Sequence, residues 1–211
     1  MLRTVALPAR RLVDTARPSR RIRCPDTSDN TTFTATLRVS NAFSSYSSSS
    51  ETDTTDSLQH ERFMDEAVEQ AKLAYAHGEV PVGAVLVNPD GHVVSRGFNK
   101  TEAEGDPTSH AELNVIRQAT GSLAGGWRLL DCTLYVTLEP CPMCAGAILQ
   151  ARVGTVVYGA RNTLLGADGS WIRMFDRQRP HPFHPGVRII RGVREEACGQ
   201  LMKDFFRSRR A

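Results

Sequence analysis

A regular pattern of apolar positions begins near residue 58. Phe63, Ala67, Ala71 and Ala74 recur at helical spacing, with acidic and basic side chains between them. This pattern predicts an amphipathic helix over residues 58–76, which ends at the pair His77-Gly78 because glycine commonly closes a helix.

Strand-like and helix-like segments alternate along the rest of the chain. Two β-rich runs at residues 82–88 and 93–99 flank Pro89-Asp90-Gly91, a turn signal, and predict a hairpin. The later segments are predicted to be helices over 110–119, 140–151 and 195–207, and strands over 133–138, 155–158 and 187–190. This order predicts an α/β fold with a five-stranded mixed sheet covered by four or five helices.

Residues 1–57 differ in composition from the predicted domain at 58–211. The first fifty residues hold eight Arg, nine Ser and seven Thr but no Lys or Glu, a composition that cannot form a core. They lack the apolar segment of a secretory signal and are interpreted as a transit peptide with its linker. A chloroplast destination is favoured over a mitochondrion, and a disordered tail without a targeting role is the alternative.

The charges of the chain nearly cancel, so the net electrostatic field of the protein is weak. The net charge is +3, from 26 basic and 23 acidic side chains, and part of the excess lies in the leader. An anionic partner would therefore have to meet a local basic patch.

No apolar run is long enough for a membrane span. Five cysteines are too few for a disulfide scaffold, which favours metal or redox chemistry in a reducing compartment.

Two short motifs carry the candidate chemistry: His110-Ala111-Glu112 and Pro140-Cys141-Pro142-Met143-Cys144. Alone, the C-x-x-C pair could be a redox pair or half of a structural zinc site, and a lone histidine is most often a polar core residue. Together, His110, Cys141 and Cys144 supply three ligands. This is the number that a catalytic zinc site uses when water takes the fourth position.

Glu112 is the candidate proton carrier. Zinc lowers the pKa of a bound water towards about 7, and another group must then move protons between that water and the substrate. Glu112 stands two residues after the predicted ligand His110. The alternative interpretation is that its charge only complements the positive N-terminal end of a helix.

The combined H-x-E and P-C-x-x-C pattern is typical of zinc deaminases that act on nucleobases. From about residue 60 to 210 the chain resembles the TadA-type family of tRNA adenosine deaminases, in the cytidine deaminase superfamily. The matching segments are EVPVGAVLV at 79–87, GFN at 97–99, HAE at 110–112, LYVTLEPC at 134–141 and DFFR at 204–207. Residues 164–171 and 181–185 resemble the plant plastid members of the family in particular.

The resemblance implies a three-layer α/β/α sandwich, a homodimer, a zinc cofactor, and conversion of adenosine to inosine at the wobble position of a tRNA anticodon loop. It implies these site residues: Glu112 as the catalytic group; His110, Cys141 and Cys144 on the metal; Asn99 on the flipped nucleoside; Pro81, Ala84 and Leu138 as pocket walls; and Arg161 and Asn162 against neighbouring nucleotides. Bacterial members commonly have Asp at the position of Asn162, so a looser substrate restriction is expected here.

The C-terminal run Phe205-Phe206-Arg207-Ser208-Arg209-Arg210 interleaves aromatic and basic side chains, as stacking on bases and contact with phosphates require. Phe206 and Arg207 are therefore candidate RNA contacts. The alternative is that the phenylalanines belong to the core and that the arginines are a solvated helix end.

Two other functions remain open at this stage. The first is a free-base or nucleoside deaminase for guanine or cytosine, which would not need the arginine-rich terminus. The second is a non-catalytic, zinc-stabilised subunit that only binds RNA, for which Glu112 would have no use.

Overall fold

The computed structural model describes residues 49–122 and 126–210. Its elements, in chain order, are α1 (Ser49–Ala76), β1 (Gly83–Val87), β2 (Val93–Phe98), α2 (Thr101–Glu104), α3 (Ala111–Ser122), β3 (Thr133–Leu138), α4 (Pro142–Ala151), β4 (Thr155–Ala160), β5 (Arg188–Arg191) and α5 (Glu195–Ser208). Most of these bounds lie within two or three residues of those predicted.

The five strands form one mixed sheet in the order β2-β1-β3-β4-β5. β1 runs antiparallel to β2 and to β3, whereas β3, β4 and β5 are parallel. The hairpin between β1 and β2 closes in a short turn, while the parallel pair β3 and β4 needs a crossover, which α4 supplies. The predicted five-stranded mixed sheet is confirmed.

Helices cover both faces of the sheet. Successive side chains of a strand point to opposite faces, so Leu86 and Leu134 pack into one core with α3 and α4. Val85 and Val157 pack into a second core with α1 and α5. The architecture is therefore the expected three-layer α/β/α sandwich.

The first helix is longer than its apolar pattern indicates. α1 begins at Ser49 rather than at the predicted Leu58. In the added turns, apolar residues do not recur at helical spacing. These turns contain Asp56, which pairs with His60 at 3.6 Å and with Arg188 at 4.0 Å. The predicted boundary between residues 57 and 58 thus lies inside α1, and most of the predicted leader lies outside the described residues.

A one-turn helix, α2, lies between β2 and α3, in a segment for which no helix or strand was predicted. The backbone N–H groups of Glu102 and Ala103 donate to the carboxylate of Glu79, at 3.2 and 2.8 Å, and satisfy the first turn of α2. Gly105 ends the helix in a left-handed conformation, with φ of 58°. Local sequence could not indicate this helix because the residue that caps it lies more than twenty positions away.

The sheet topology brings the chemical motifs to one end of the sandwich. β3 ends at Leu138, three residues before Cys141 at the start of α4, and α3 begins immediately after His110. α3 and α4 lie on the same face of the sheet, so their N-terminal ends meet beside the end of β3. Among the residues described, no helix is long and apolar enough to cross a membrane.

Candidate active site

His110, Cys141 and Cys144 form a compact cluster between α3 and α4. The His110 Nδ1 atom lies 3.7 Å from the Cys141 sulfur and 3.5 Å from the Cys144 sulfur. The three candidate donor atoms all lie within 4.8 Å of one another, and this is the one such group in the described part of the chain. Cys141 is the N-cap of α4 and Cys144 lies in its first turn, so the cysteine spacing follows from the helix.

The donor set fits a tetrahedral zinc ion. Zinc bonds of about 2.0–2.1 Å to nitrogen and about 2.3 Å to sulfur, at tetrahedral angles, separate two donor atoms by about 3.5–3.8 Å. The two nitrogen–sulfur distances of 3.5 and 3.7 Å agree with this spacing. One imidazole and two thiolates leave a fourth position for water, as in a catalytic site.

The two thiols differ in their acidity. A hydrogen bond from the Cys144 thiol lowers the pKa of Cys141 to about 4, and the nearby His110 adds to the effect. The same pairing, together with burial, raises the pKa of Cys144. The pKa of His110 is raised by its hydrogen bond with Cys141. The positive charge of an ion held between the two sulfurs would favour the thiolate form of both.

Glu112 is buried beside the cluster. Its side chain is 3% exposed, and burial raises its pKa to about 7. A carboxyl group with such a pKa is both ionised and protonated near neutral pH, which a proton carrier requires. A charge that only complements a helix end does not need burial, so the structure favours the catalytic interpretation of Glu112.

Asn99 links the cluster to the binding cavity. Its side-chain oxygen accepts the backbone N–H of Ala111 at 2.9 Å and so caps the helix that carries Glu112. The side chain is 6% exposed and lines the cavity. Its amide NH₂ group remains as a donor for a ligand.

A cavity of about 570 Å³ opens over the cluster. This volume lies in the range of small-molecule sites and suits a single nucleoside. Several residues of the predicted site line it: Asn99, His110, Glu112, Leu138, Cys141, Asn162 and Phe206.

Other predicted contacts lie outside the cavity wall. Pro81 and Ala84 are buried behind it, and the cavity meets their neighbour Val82 instead. Arg161 is exposed next to the lining residue Asn162. Substrate contacts of Pro81, Ala84 and Arg161 stay predictions.

Arg207 also lies outside the cavity wall. Its side chain is 74% exposed and pairs with Asp204 at 3.4 Å. A contact between Arg207 and RNA stays a prediction.

The structure adds lining residues that the sequence motifs did not indicate. The principal ones are Glu79, Leu164, Leu165, Met202 and Arg209. They come from three separate segments, namely the loop before β1, the loop after β4, and α5 with its C-cap, so no local spacing could group them. Sequence signals existed for some of them: Arg209 belongs to the aromatic and basic terminal run, and two adjacent leucines, Leu164 and Leu165, are unusual in a polar loop.

The C-terminal helix forms one wall of the cavity. Phe205 is buried and contacts Tyr75 edge-on, with ring centroids 5.7 Å apart. The Arg209 guanidinium lies 5.0 Å from the Phe205 ring centroid and donates to the carbonyl oxygen of Gly78. The terminal run is thus divided, with Phe205 in the core, Arg209 on the cavity wall, and Arg207 in solvent.

Comparison with known proteins agrees with this geometry. Residues 57–160 match the family described as the cytidine and deoxycytidylate deaminase zinc-binding region. Among curated proteins, the tRNA-specific adenosine deaminase of Bacillus subtilis is 45% identical, over 72% of this chain and 91% of the relative. The chloroplastic tRNA(adenine(34)) deaminase of Arabidopsis thaliana is 55% identical over 71% of this chain. Because that protein is much longer, the match covers only 12% of its length.

A solved structure from work on A-to-I editing by tRNA:A34 deaminases at the wobble position of transfer RNA is also similar. It is 42% identical to this chain and has a TM-score of 0.61. The match covers 66% of this chain and 98% of the solved chain. The sandwich, the three-ligand cluster and the buried carboxylate define the class of zinc-dependent nucleobase deaminases. Within that class, the chain belongs to the family of tRNA-specific adenosine deaminases.

Proposed function

We propose that the chain catalyses the zinc-dependent hydrolytic deamination of adenosine to inosine at the wobble position of tRNA. The observation that carries this proposal is the buried Glu112 beside a three-ligand cluster, under a cavity large enough for one nucleoside. Membership of the tRNA deaminase family supports the choice of substrate.

The chemistry divides between the cluster and Glu112. His110, Cys141 and Cys144 would hold the zinc, which supplies hydroxide at neutral pH. Glu112 takes one proton from the water and gives it to N1 of adenine, while the water oxygen bonds to C6. Glu112 then carries the second proton from that oxygen to the amino nitrogen, the bond between C6 and this nitrogen breaks, and ammonia leaves as inosine forms.

Asn99 and the apolar walls orient the base. The Asn99 side-chain oxygen is already used by Ala111, so the amide NH₂ group donates to the base or ribose. Val82 and Leu138 bound the cavity next to the reacting group. An enzyme acting on a base of a structured RNA must take that base out of its stack, and such walls replace the lost stacking.

The partner is the anticodon loop of a tRNA, and the protein acts as a homodimer in the chloroplast. The tRNA follows from the family, and the chloroplast is supported by the Arabidopsis relative and by the arginine- and serine-rich leader. Basic residues near the cavity mouth, Arg161, Arg207 and Arg210, are the side chains expected to meet phosphates.

Incubation of the zinc-loaded full chain with plastid tRNA, guanine and cytosine in parallel tests the proposal. We expect inosine at the first anticodon position of a tRNA, with no release of ammonia from the free bases. Ammonia from guanine or cytosine without inosine in tRNA would instead support the free-base deaminase. RNA binding without any deamination would support the non-catalytic subunit.

A further inference from the structure

A buried carboxylate next to the metal cluster has no part in the chemistry described above. Glu139 lies between β3 and Cys141, and its side chain is 1% exposed. Its carboxylate accepts the backbone N–H groups of Asn162 at 3.1 Å and Asp168 at 2.9 Å. Ser170 donates to it through both its hydroxyl and its backbone N–H. All of these donors come from one loop, residues 162–170.

The loop folds closely around this carboxylate. A Cβ atom at Gly166 would collide with the Glu139 carboxylate, so glycine is required there. The N–H of Ala167 also donates to the carbonyl of Pro140 at 2.9 Å. Four donors on one carboxylate match its full accepting capacity, and bonds to a charged acceptor are the stronger kind.

The same loop presents apolar side chains at the mouth of the cavity. Asn162, Leu164 and Leu165 line it, and the two leucines are 81% and 51% exposed. The Asn162 side chain accepts the N–H of Leu165 at 3.1 Å, which closes the turn between them. Exposed apolar side chains beside a pocket for a flipped base suit contact with the faces of neighbouring unstacked bases.

The other end of the loop is fixed away from the cavity. The Asp168 carboxylate pairs with Arg191 at 2.6 and 2.9 Å and accepts the Tyr158 hydroxyl at 3.0 Å. These contacts hold the far side of the loop to β4 and β5. Glu139 bonds to both sides of the loop: to Asn162 on the side that carries the lining residues, and to Asp168 and Ser170 on the far side.

We propose that Glu139 is a positioning residue for the RNA substrate, which holds the 162–170 loop so that Leu164 and Leu165 contact the nucleotides that flank the target base. The proposal rests on the proposed function in one respect, the identity of the substrate. Glu139 is one of the residues that line the cavity, but both of its carboxylate oxygens are bonded to the loop. Its loss should therefore weaken substrate binding more than the chemical step.

Glu139→Gln is the first test, because it keeps the size of the side chain while turning one acceptor into a donor that opposes the loop N–H groups. We expect KM for tRNA to rise about tenfold or more, the effect of losing one or two hydrogen bonds to a charged group. We expect kcat to stay within about threefold and the zinc content to be unchanged.

Ser95→Ala is the matched control for a general loss of stability. Ser95 is also buried and its hydroxyl donates to the carbonyl of Val115 at 2.9 Å, away from the cavity. This variant should lose a buried hydrogen bond and keep KM. An equal rise of KM in Ser95→Ala and Glu139→Gln would overturn the positioning role.

A double-mutant cycle with Leu164→Ala locates the effect in the loop. Leu164 is exposed, so this substitution should leave the fold intact and raise KM by itself. If Glu139 acts through the loop, adding Leu164→Ala to Glu139→Gln should raise KM little further. Additive effects of the two substitutions would contradict the proposal.

Hydrogen exchange tests whether Glu139 fixes the 162–170 loop, and it needs no enzymatic turnover. In Glu139→Gln we expect the amides of Asn162 and Asp168 to exchange at least about tenfold faster, while those of α4 stay protected. Unchanged exchange in the loop would overturn the proposal even if the chain is an active tRNA deaminase. Absence of inosine from the wild-type reaction, with faster exchange in the variant, would count against the proposed substrate alone.

Discussion

The side-chain oxygen of Asn99 accepts the backbone N–H of Ala111 at 2.9 Å, so a residue that lines the cavity also caps the helix that carries Glu112. The two roles belong to different atoms of one amide group. The oxygen bonds to the helix, and the nitrogen is available to the cavity. The cavity and the placement of Glu112 are thereby linked through one side chain.

Variants of Asn99 should separate these two roles. Asn99→Asp keeps an oxygen acceptor, which the N-terminal end of α3 favours, but loses the NH₂ donor. It should retain wild-type stability and bind substrate more weakly. Asn99→Ala loses both groups and should also lower the free energy of unfolding by about 1 kcal/mol.

Urea unfolding and KM for tRNA, measured on both Asn99 variants, check this pair of outcomes. Wild-type KM in Asn99→Asp would show that the amide nitrogen does not bind substrate. An equal loss of stability in the two variants would contradict the capping role.

Substitution of the different arginines in the C-terminal run should affect different properties, either RNA binding or the free energy of unfolding. Arg207 and Arg210 are exposed, and an exposed ion pair such as Arg207–Asp204 adds little to stability. Arg207→Gln and Arg210→Gln should keep the fold, weaken RNA binding, and reduce the slope of log K against log salt by about 0.7 per lost phosphate contact.

Arg209→Gln should behave differently, because Arg209 holds the cavity wall through Gly78 and Phe205. We expect it to lower the free energy of unfolding by about 0.5–1.5 kcal/mol, as for the loss of one hydrogen bond. Salt titrations of RNA binding and urea unfolding on all three variants check this division. Full stability of Arg209→Gln, or an unchanged salt slope in the other two, would argue against it.

His60 gives the fold a dependence on pH. Burial lowers the pKa of His60 below its usual 6.5, Arg188 lowers it further, and Asp56 opposes the shift. Its Nδ1 atom pairs with the Tyr135 hydroxyl at 2.9 Å. The native chain therefore binds this proton less readily than the unfolded chain does, and its stability falls as the pH drops below about 6.5.

His60→Gln removes this titration and can keep a hydrogen bond to Tyr135. The urea midpoint of the wild-type chain should fall more between about pH 7.5 and pH 5.5 than that of the variant. The difference between the two chains isolates His60, since all other groups titrate in both. Equal falls in both chains would refute the assignment.

The candidate metal cluster and the sheet could be predicted from the sequence because their signals are local. The C-x-x-C spacing places Cys141 at the N-cap of α4 and Cys144 in its first turn, and the alternating run at 133–138 predicts β3 with the bounds observed. His110 and Glu112 lie at the start of α3, two residues apart. Each of these features depends on neighbours within a few positions.

The features that the sequence could not indicate depend on distant partners. α2 forms because Glu79 satisfies its first turn, and the loop at 162–170 is held by Glu139. Leu165 and Arg209 reach the same cavity from elements more than forty residues apart. Only the tertiary structure shows that such residues meet.

Zinc binding should depend on Cys144 and not on cysteine burial in general. Cys144→Ala removes one of three donors and should lower the zinc content from about one ion per chain to well below it. Cys198→Ala is the matched control, because Cys198 is equally buried but packs between α5 and the opposite face of the sheet. Metal analysis of the two purified variants checks the ligand set. Full zinc content in Cys144→Ala, or equal losses in both, would refute it.

The central claim is that Glu112 carries protons for the deamination of adenosine at this cluster. Glu112→Gln keeps the shape of the side chain and all three metal ligands, so it should retain one zinc per chain. The direct measurement is the single-turnover rate of inosine formation in tRNA by wild-type and Glu112→Gln chains of equal zinc content. We expect a rate lower by about 10² to 10⁴ in the variant, the usual contribution of general acid–base catalysis. A wild-type rate in zinc-replete Glu112→Gln would contradict it.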